Sequence, residues 1–385
     1  MKPAGIYIHI PFCQAKCAYC DFVSFAGLEH LHAPYIQALL REIELKSPAW
    51  AGIPFDTLYL GGGTPSILSP AQIGHLLEAC RRHFQVLPES EITLEANPGT
   101  VQNWLPWRKL GITRLSLGIQ SLHDDELALL GRIHAAQEAI QAYTAARAAG
   151  FENINLDFLF GLPGQSLRRW QETLTQALEL APEHLSLYCL TLEEHTPLAR
   201  QIAQGLLPAP DDDLAAEMYE LAEEMLAKAG YLHYEISNWA RSTGESEGEL
   251  PRLACRHNVK YWHNERYLGL GAAAYSYDGK HRSGNVEHPK DYILRLQRGQ
   301  DPTATSEETD RQRQIEETMM LGLRLLEGIS WEAFSQRFGE DLREIYAQEI
   351  TTLAEEGLLT IDELGIRLSK RGRLLGNRVF AAFLH

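Results

Sequence analysis

The sequence predicts an α/β fold: a partial or full TIM-like (β/α) barrel followed by a C-terminal, mainly helical, winged-helix-like domain. Three observations carry that expectation. Short β-branched and aromatic runs alternate with amphipathic stretches through the first 240 residues, and regular β-then-α alternation asks for a parallel sheet with helices outside it. Polar and glycine residues follow each apolar run, where strands of such a barrel end and its chemistry sits. Residues 306–385 then change to a helical pattern with one short wing-like break.

Taken in order, the expected strands are "GIYIHI" (5–10), "DTLYLGG" (56–62), "SEITLEANP" (90–98), "TRLSLGIQS" (113–121), "NINLDFLFGLP" (153–163), "HLSLYCLTL" (184–192) and "LHYEISNW" (232–239). Helices are expected between most of them, at 35–46, 71–84, 136–150 and 167–180. Six or seven such units suit a barrel better than a small open sheet. Residues 241–255 are polar and glycine-rich, a linker or loop, and 255–277 are rich in His, Asn and aromatics. The tail reads as helices at 310–328, 330–339 and 344–359, a wing at 358–369 and a last helix at 370–384. The expected domains are thus a core barrel at 1–240, a connecting segment at 241–305 and a C-terminal domain at 306–385.

A chain of 385 residues suggests two or three domains. With 45% hydrophobic and 22% charged residues it has an ordinary globular composition. A net charge of −16 without a long basic run disfavours nucleic acid and acidic membrane surfaces as partners. The first residues lack a signal-like apolar stretch, and no run reaches the roughly 20 apolar residues of a spanning helix. The expected location is cytoplasmic, with reduced thiols.

Half of the six cysteines fall in eight positions: Cys13, Cys17 and Cys20, spaced C-x-x-x-C-x-x-C. Clustered cysteines in a reducing compartment read first as metal ligands or catalysts. A structural zinc site needs four closed ligands, and His9, inside an apparent strand, is an awkward fourth. Cys17 and Cys20 alone have redox-pair spacing. An iron–sulfur cluster on three thiolates leaves one iron open for a small molecule. Spacing favours a metal cluster and leaves the alternatives open.

Other residues stand out on physical grounds. Glycines in "GGGTP" (61–65) let a backbone approach a ligand closely, although a lone glycine run is more often a tight turn. Asp157 interrupts an apolar strand, where an unpaired charge is costly. The fork of Arg132 suits a carboxylate. Cys80 and Cys189 fit a helix and a strand core, and Cys255 is expected to pack. Arg367, Lys370, Arg371, Arg373 and Arg378 form a modest basic set in the tail.

The sequence around the cysteines resembles the radical S-adenosylmethionine (SAM) enzymes, and Tyr19, just before the last cysteine, is part of that pattern. "GGGTPS", "LEANP", "RLSLGIQS", "GRIH" and "NLDFLFGLPGQ" follow in the order of oxygen-independent coproporphyrinogen III oxidases and their relatives, and "HNVKYW" (257–262) matches the HemW-type haem-chaperone subgroup. The resemblance spans essentially the whole chain. It implies a [4Fe–4S] cluster on Cys13, Cys17 and Cys20, with its fourth iron chelated by SAM. It implies SAM contacts at Tyr7, Gly62, Gly63, Thr64 and Glu95. Gln120, Arg132 and Asp157 match positions that face a second SAM in the oxidases; whether one binds here stays open. His257 becomes a candidate haem ligand, with Asn258, Tyr261 and Trp262 beside it, although a lone His is more often structural.

Two functions follow from the resemblance. One is a haem chaperone that binds cluster, SAM and haem and delivers haem to apo-haemoproteins. The other is an oxygen-independent coproporphyrinogen III oxidase, converting propionates to vinyls by radical decarboxylation. Both imply an electron donor for the cluster, and a homodimer is a candidate assembly. Three features favour delivery: Phe22 stands where the oxidases carry a further cysteine; Tyr7 lies close to the first residue, without the oxidases' N-terminal extension; and "HNVKYW" is present.

Overall fold

The computed structural model describes residues 2–245 and 250–384. Part of the expected linker therefore lies outside the described residues. Two compact units emerge: Met1–Met225 with Arg266–Glu307, and Leu226–Glu265 with Glu308–His385.

The first unit begins with β1 (Ala4–Ile10), β2 (Pro54–Gly62), β3 (Gln85–Ala96), β4 (Arg114–Gln120), β5 (Ile154–Phe160) and β6 (His184–Cys189). The chain then contributes β7 (Tyr231–Glu235) and β8 (Asn238–Arg241) to the second unit, and returns with β9 (Tyr267–Leu270), β10 (Tyr275–Tyr277), β11 (His281–Asn285) and β12 (Thr303–Glu308). Within the first unit the strand order is β12-β11-β10-β9-β1-β2-β3-β4-β5-β6. From β9 through β1 to β6 every pairing is parallel, while β10 runs antiparallel to both β9 and β11. The array is partial: among the described residues no pairing joins β9 to β6.

Helices α1 (His32–Lys46), α2 (Pro70–His83), α3 (Ala136–Ala148) and α4 (Leu167–Leu180) connect these strands. In β1, Ala4, Ile6, Ile8 and Ile10 are fully buried, as are Leu39 and Ile43 of α1. Apolar residues at every second position of a strand mark the face that packs on the helices, which is why these strands are visible in the sequence.

The other face of the sheet is polar. Parallel register aligns Tyr7, Tyr59, Thr93 and Arg114 on one level. It aligns Glu95, Ser116, Asn155 and His184 on the next, and Gly118, Asp157 and Ser186 on a third. Barrels of this class are usually filled with branched apolar side chains; here the polar levels lead toward the strand ends.

The expected seventh strand, 232–239, is instead an antiparallel pair, β7 with β8. The run holds "ISN" at its middle, and the chain turns there. In the second unit Met319, Leu323, Phe334, Leu342, Tyr346, Leu353, Leu358, Ile366, Val379 and Phe383 share a core. The wing is β13 (Ile329–Ser330), β14 (Leu359–Ile361) and β15 (Gly365–Leu368), all antiparallel. The expected last helix is divided into Lys370–Leu374 and Gly376–Ala381. "HNVKYW" lies on α5 (Arg256–Trp262). No helix among the described residues is long and apolar enough to cross a membrane.

Candidate functional site

The cysteine loop leaves the C-terminal end of β1. Phe12 and Cys13 pair in parallel with Phe25 and Ala26, which ties the two ends of the excursion together. Ala18 is clamped on both sides: its N–H donates to the Leu130 carbonyl at 2.9 Å and its carbonyl accepts from the Leu198 N–H at 2.9 Å. Gly131, at φ +69°, allows the approach, since a Cβ there would lie 3.1 Å from the Ala18 nitrogen. Cys13, Cys17 and Cys20 are free thiols of intermediate burial. Burial pushes the Cys13 and Cys20 thiols up, so a cation has to compensate the thiolate forms that ligate metals. Two donors already reach the loop: Thr64 Oγ1 lies 3.6 Å from Cys13 Sγ, and Arg132 Nη1 lies 3.4 Å from Cys17 Sγ. Among the described residues no three His, Cys, Asp or Glu side chains form a preassembled metal cage. His9, weighed as a fourth ligand, has both ring nitrogens engaged, with Tyr7 Oη and with the Val23 carbonyl, each at 2.9 Å.

"GGGTP" welds the end of β2 to the base of this loop. The Gly63 N–H donates to the Ile10 carbonyl (2.9 Å) and the Thr64 N–H to the Phe12 carbonyl (2.8 Å). Gly62 sits at φ +109°, and a Cβ there would fall 2.4 Å from the His9 ring; at Gly63 it would fall 2.6 Å from the Phe12 carbonyl oxygen.

Glu95 ends the apolar part of β3. Its carboxylate accepts from Tyr59 Oη (2.7 Å) and the Gly62 N–H (3.1 Å). Desolvation nonetheless pushes its carboxyl up to about 7, and neighbouring Asp157 adds to the shift. Burial likewise raises the Tyr7 phenol. Gln120 holds φ +68° at the end of β4. Arg132 Nη2 donates to Asn97 Oδ1 and to the Gly118 carbonyl, both at 2.7 Å, and its buried Nε has no hydrogen-bond partner among the described residues. Asp157 accepts from Ser116 Oγ (2.9 Å) and Asn155 Nδ2 (2.8 Å), and burial raises its carboxyl. Tyr19 packs against an apolar cluster of Leu130, Leu159, Leu162, Leu190 and Leu198.

The sequence reading passed over Tyr59, Asn97, Arg114, Asn155 and His184. Asn155 is a hub: its amide donates to Ser116 Oγ and to Asp157 (2.8 Å each), while its oxygen lies 2.6 Å from His184 Nδ1 and accepts from Ser186 Oγ at 3.1 Å. The available signal was period-two polarity inside strands otherwise read as doubly buried, as in "NINLDF".

His257 belongs to the second unit. It is 1% exposed, with Nε2 3.0 Å from Tyr261 Oη. Burial, then Lys260, pushes its imidazole down to about 3. Cys80 and Cys255 are buried, but Cys189 is exposed rather than a core residue, because β6 ends there. The basic tail residues are largely engaged within their unit: Arg367 with Asp362, Arg378 with Glu356 at 2.6 Å, and Arg371 with the Glu356 carbonyl at 3.0 Å.

Residues 7–177 match the model of the Radical SAM superfamily, and residues 309–375 that of the HemN C-terminal domain. The chain is 38% identical over 388 residues to a Heme chaperone HemW of Bacillus subtilis, covering 100% of this chain and 99% of that one. The chain belongs to the HemW family of radical SAM proteins. Identity to the Escherichia coli Heme chaperone HemW is 34% over 397 residues, covering 100% and 99% of the two chains. The solved structure of the E. coli radical SAM enzyme coproporphyrinogen III oxidase (HemN) superposes with a TM-score of 0.85 at 26% identity, covering 99% of this chain and 90% of that one.

Membership of the radical SAM superfamily implies a [4Fe–4S] cluster and SAM, and the residues fit both. Three free thiols on one clamped loop would supply the ligand set. The glycine run, the Glu95 carboxylate and the orphaned Arg132 Nε offer close backbone approach, an acceptor and a donor to a ligand with an ammonium and a carboxylate. When bound, the cluster supplies one-electron chemistry toward the SAM sulfonium. The protein's part is to hold the loop, orient the ligand and keep the charged groups fixed.

Proposed function

We propose that this protein is a cytoplasmic haem chaperone, which binds a [4Fe–4S] cluster on Cys13, Cys17 and Cys20, SAM at the strand ends beside them, and haem, and delivers haem to apo-haemoproteins. The observation that carries this reading over the oxidase alternative is Phe22. It lies two residues past Cys20, where the oxidases place a further cysteine, and it is 71% exposed, so the loop presents an aromatic face instead of a thiol. Full-length likeness to chains named heme chaperones supports the same choice.

Tyr7, Gly62, Gly63, Thr64 and Glu95 are the proposed SAM contacts. Gln120, Arg132 and Asp157 extend the same strand-end surface. His257 is the proposed haem ligand; burial keeps its imidazole neutral, which is the ligating form. An electron donor for the cluster and a second copy of the chain are further proposed partners.

The test is one anaerobic experiment on the reconstituted full chain with SAM and reductant. Given haem, it should bind it and pass it to an apo-haemoprotein such as apomyoglobin. Given coproporphyrinogen III, it should return it unchanged. Formation of protoporphyrinogen would overturn the chaperone-only reading.

A further inference from the structure

Asn97 sits in "LEANP" one residue past β3. Its backbone is pinned: its carbonyl accepts from the Thr100 N–H at 3.2 Å and from Thr100 Oγ1 at 2.6 Å. Its side chain lies between two groups that each reach a cysteine sulfur. Asn97 Nδ2 donates to Thr64 Oγ1 at 3.1 Å, and Asn97 Oδ1 accepts from Arg132 Nη2 at 2.7 Å.

The orientation of that amide is forced. A guanidinium only donates, so the carbonyl end must face Arg132 and the NH₂ end must face Thr64. A hydroxyl that accepts from Asn97 has its single proton to direct elsewhere, and Cys13 Sγ lies 3.6 Å away. Arg132 Nη2 is shared between Asn97 and the Gly118 carbonyl, which leaves Nη1 for Cys17 Sγ at 3.4 Å. One amide thus fixes two donors onto two of the three cysteines.

We propose that Asn97 is a positioning residue for the cluster: through Thr64 and Arg132 it holds hydrogen bonds on Cys13 and Cys17 that raise the reduction potential of the bound cluster. Hydrogen bonds to cluster sulfurs and a nearby positive charge favour the reduced form, which carries the extra negative charge. The inference rests on these cysteines holding the cluster.

The experiment uses the full chain reconstituted anaerobically with iron and sulfide, poised with dithionite and redox mediators, and read by the electron paramagnetic resonance of the reduced cluster. Asn97→Ala and Thr64→Val should each bind a full complement of iron and sulfide and titrate at a lower midpoint. For Asn97→Ala we expect about a tenfold lower ratio of reduced to oxidised cluster at fixed potential, ~59 mV for a one-electron couple. A full cluster with an unchanged midpoint in Asn97→Ala overturns the proposal. If that variant takes up no cluster, the nearly isosteric Thr64→Val decides: a lowered midpoint supports the proposal and an unchanged one overturns it. A wild-type chain that binds no iron and sulfide fails differently, because it removes the cluster itself.

Discussion

At the scale of the residue, the site holds its charges in a poised state. Glu95 accepts two hydrogen bonds, which favour the carboxylate, yet desolvation wins and lifts the carboxyl to about 7. The group is therefore about half ionised near neutrality, with Asp157 pushing it toward the neutral form and Arg114 toward the ionised one. If it meets the ammonium or ribose of SAM as an acceptor, ligand binding favours the ionised form and displaces a proton. SAM affinity should then rise roughly tenfold between pH 6 and pH 8, the span over which the ionised fraction grows from about a tenth to about nine-tenths. Isothermal titration with SAM across that range checks it, and Glu95→Gln should flatten the profile. A wild-type profile that is already flat would show that Glu95 does not face the ligand.

At the scale of the element, the β2-to-loop junction works by proximity. Gly63 has no unusual φ, so only space argues for glycine there: an added Cβ would lie 2.6 Å from the Phe12 carbonyl oxygen, a backbone atom that cannot swing aside. Gly63→Ala should therefore displace the cysteine loop at a cost on the order of 1–3 kcal/mol, as overpacking does. Thermal unfolding should show that loss together with reduced iron uptake. The same junction shows what a sequence can disclose. The three cysteines, the strands behind them and α4, observed at Leu167–Leu180 as expected, follow from local pattern. That β9 lies beside β1 does not, because Tyr267 and Gly5 are brought together by long-range pairing that no local period encodes. Asn97 and Asn155 were missed for a related reason: each matters through partners on other strands, and in the sequence each is only a polar residue near an acidic one.

At the scale of the whole molecule, burial of titratable groups sets how each unit responds to acid. A buried histidine held neutral has its folded pKa below the unfolded value, so its contribution to stability is present above about 6.5 and is lost as pH falls. A buried carboxyl with a raised pKa acts in the opposite sense, stabilising the fold as pH falls toward its unfolded value. The first unit contains both kinds: His9, His32, His134 and His184 are shifted down, while Glu42, Glu95 and Asp157 are shifted up, the two glutamates to about 7. Shifts of opposite sense offset one another in that unit between pH 7.5 and pH 5. Among its described residues the second unit has His257, down to about 3, and one raised carboxyl, Glu327, which is exposed and weighs little. It should lose about 2 kcal/mol over the same interval without compensation. Hydrogen–deuterium exchange at pH 7.5 and pH 5, corrected for intrinsic rates, resolves the two. Amides around Leu353 and Phe380 should lose protection in acid, while those of Ile6 and Leu60 keep theirs. His257→Asn, which cannot titrate, should remove the difference; equal loss in both units of the wild type would mean that a global effect of charge, and not His257, governs the acid response.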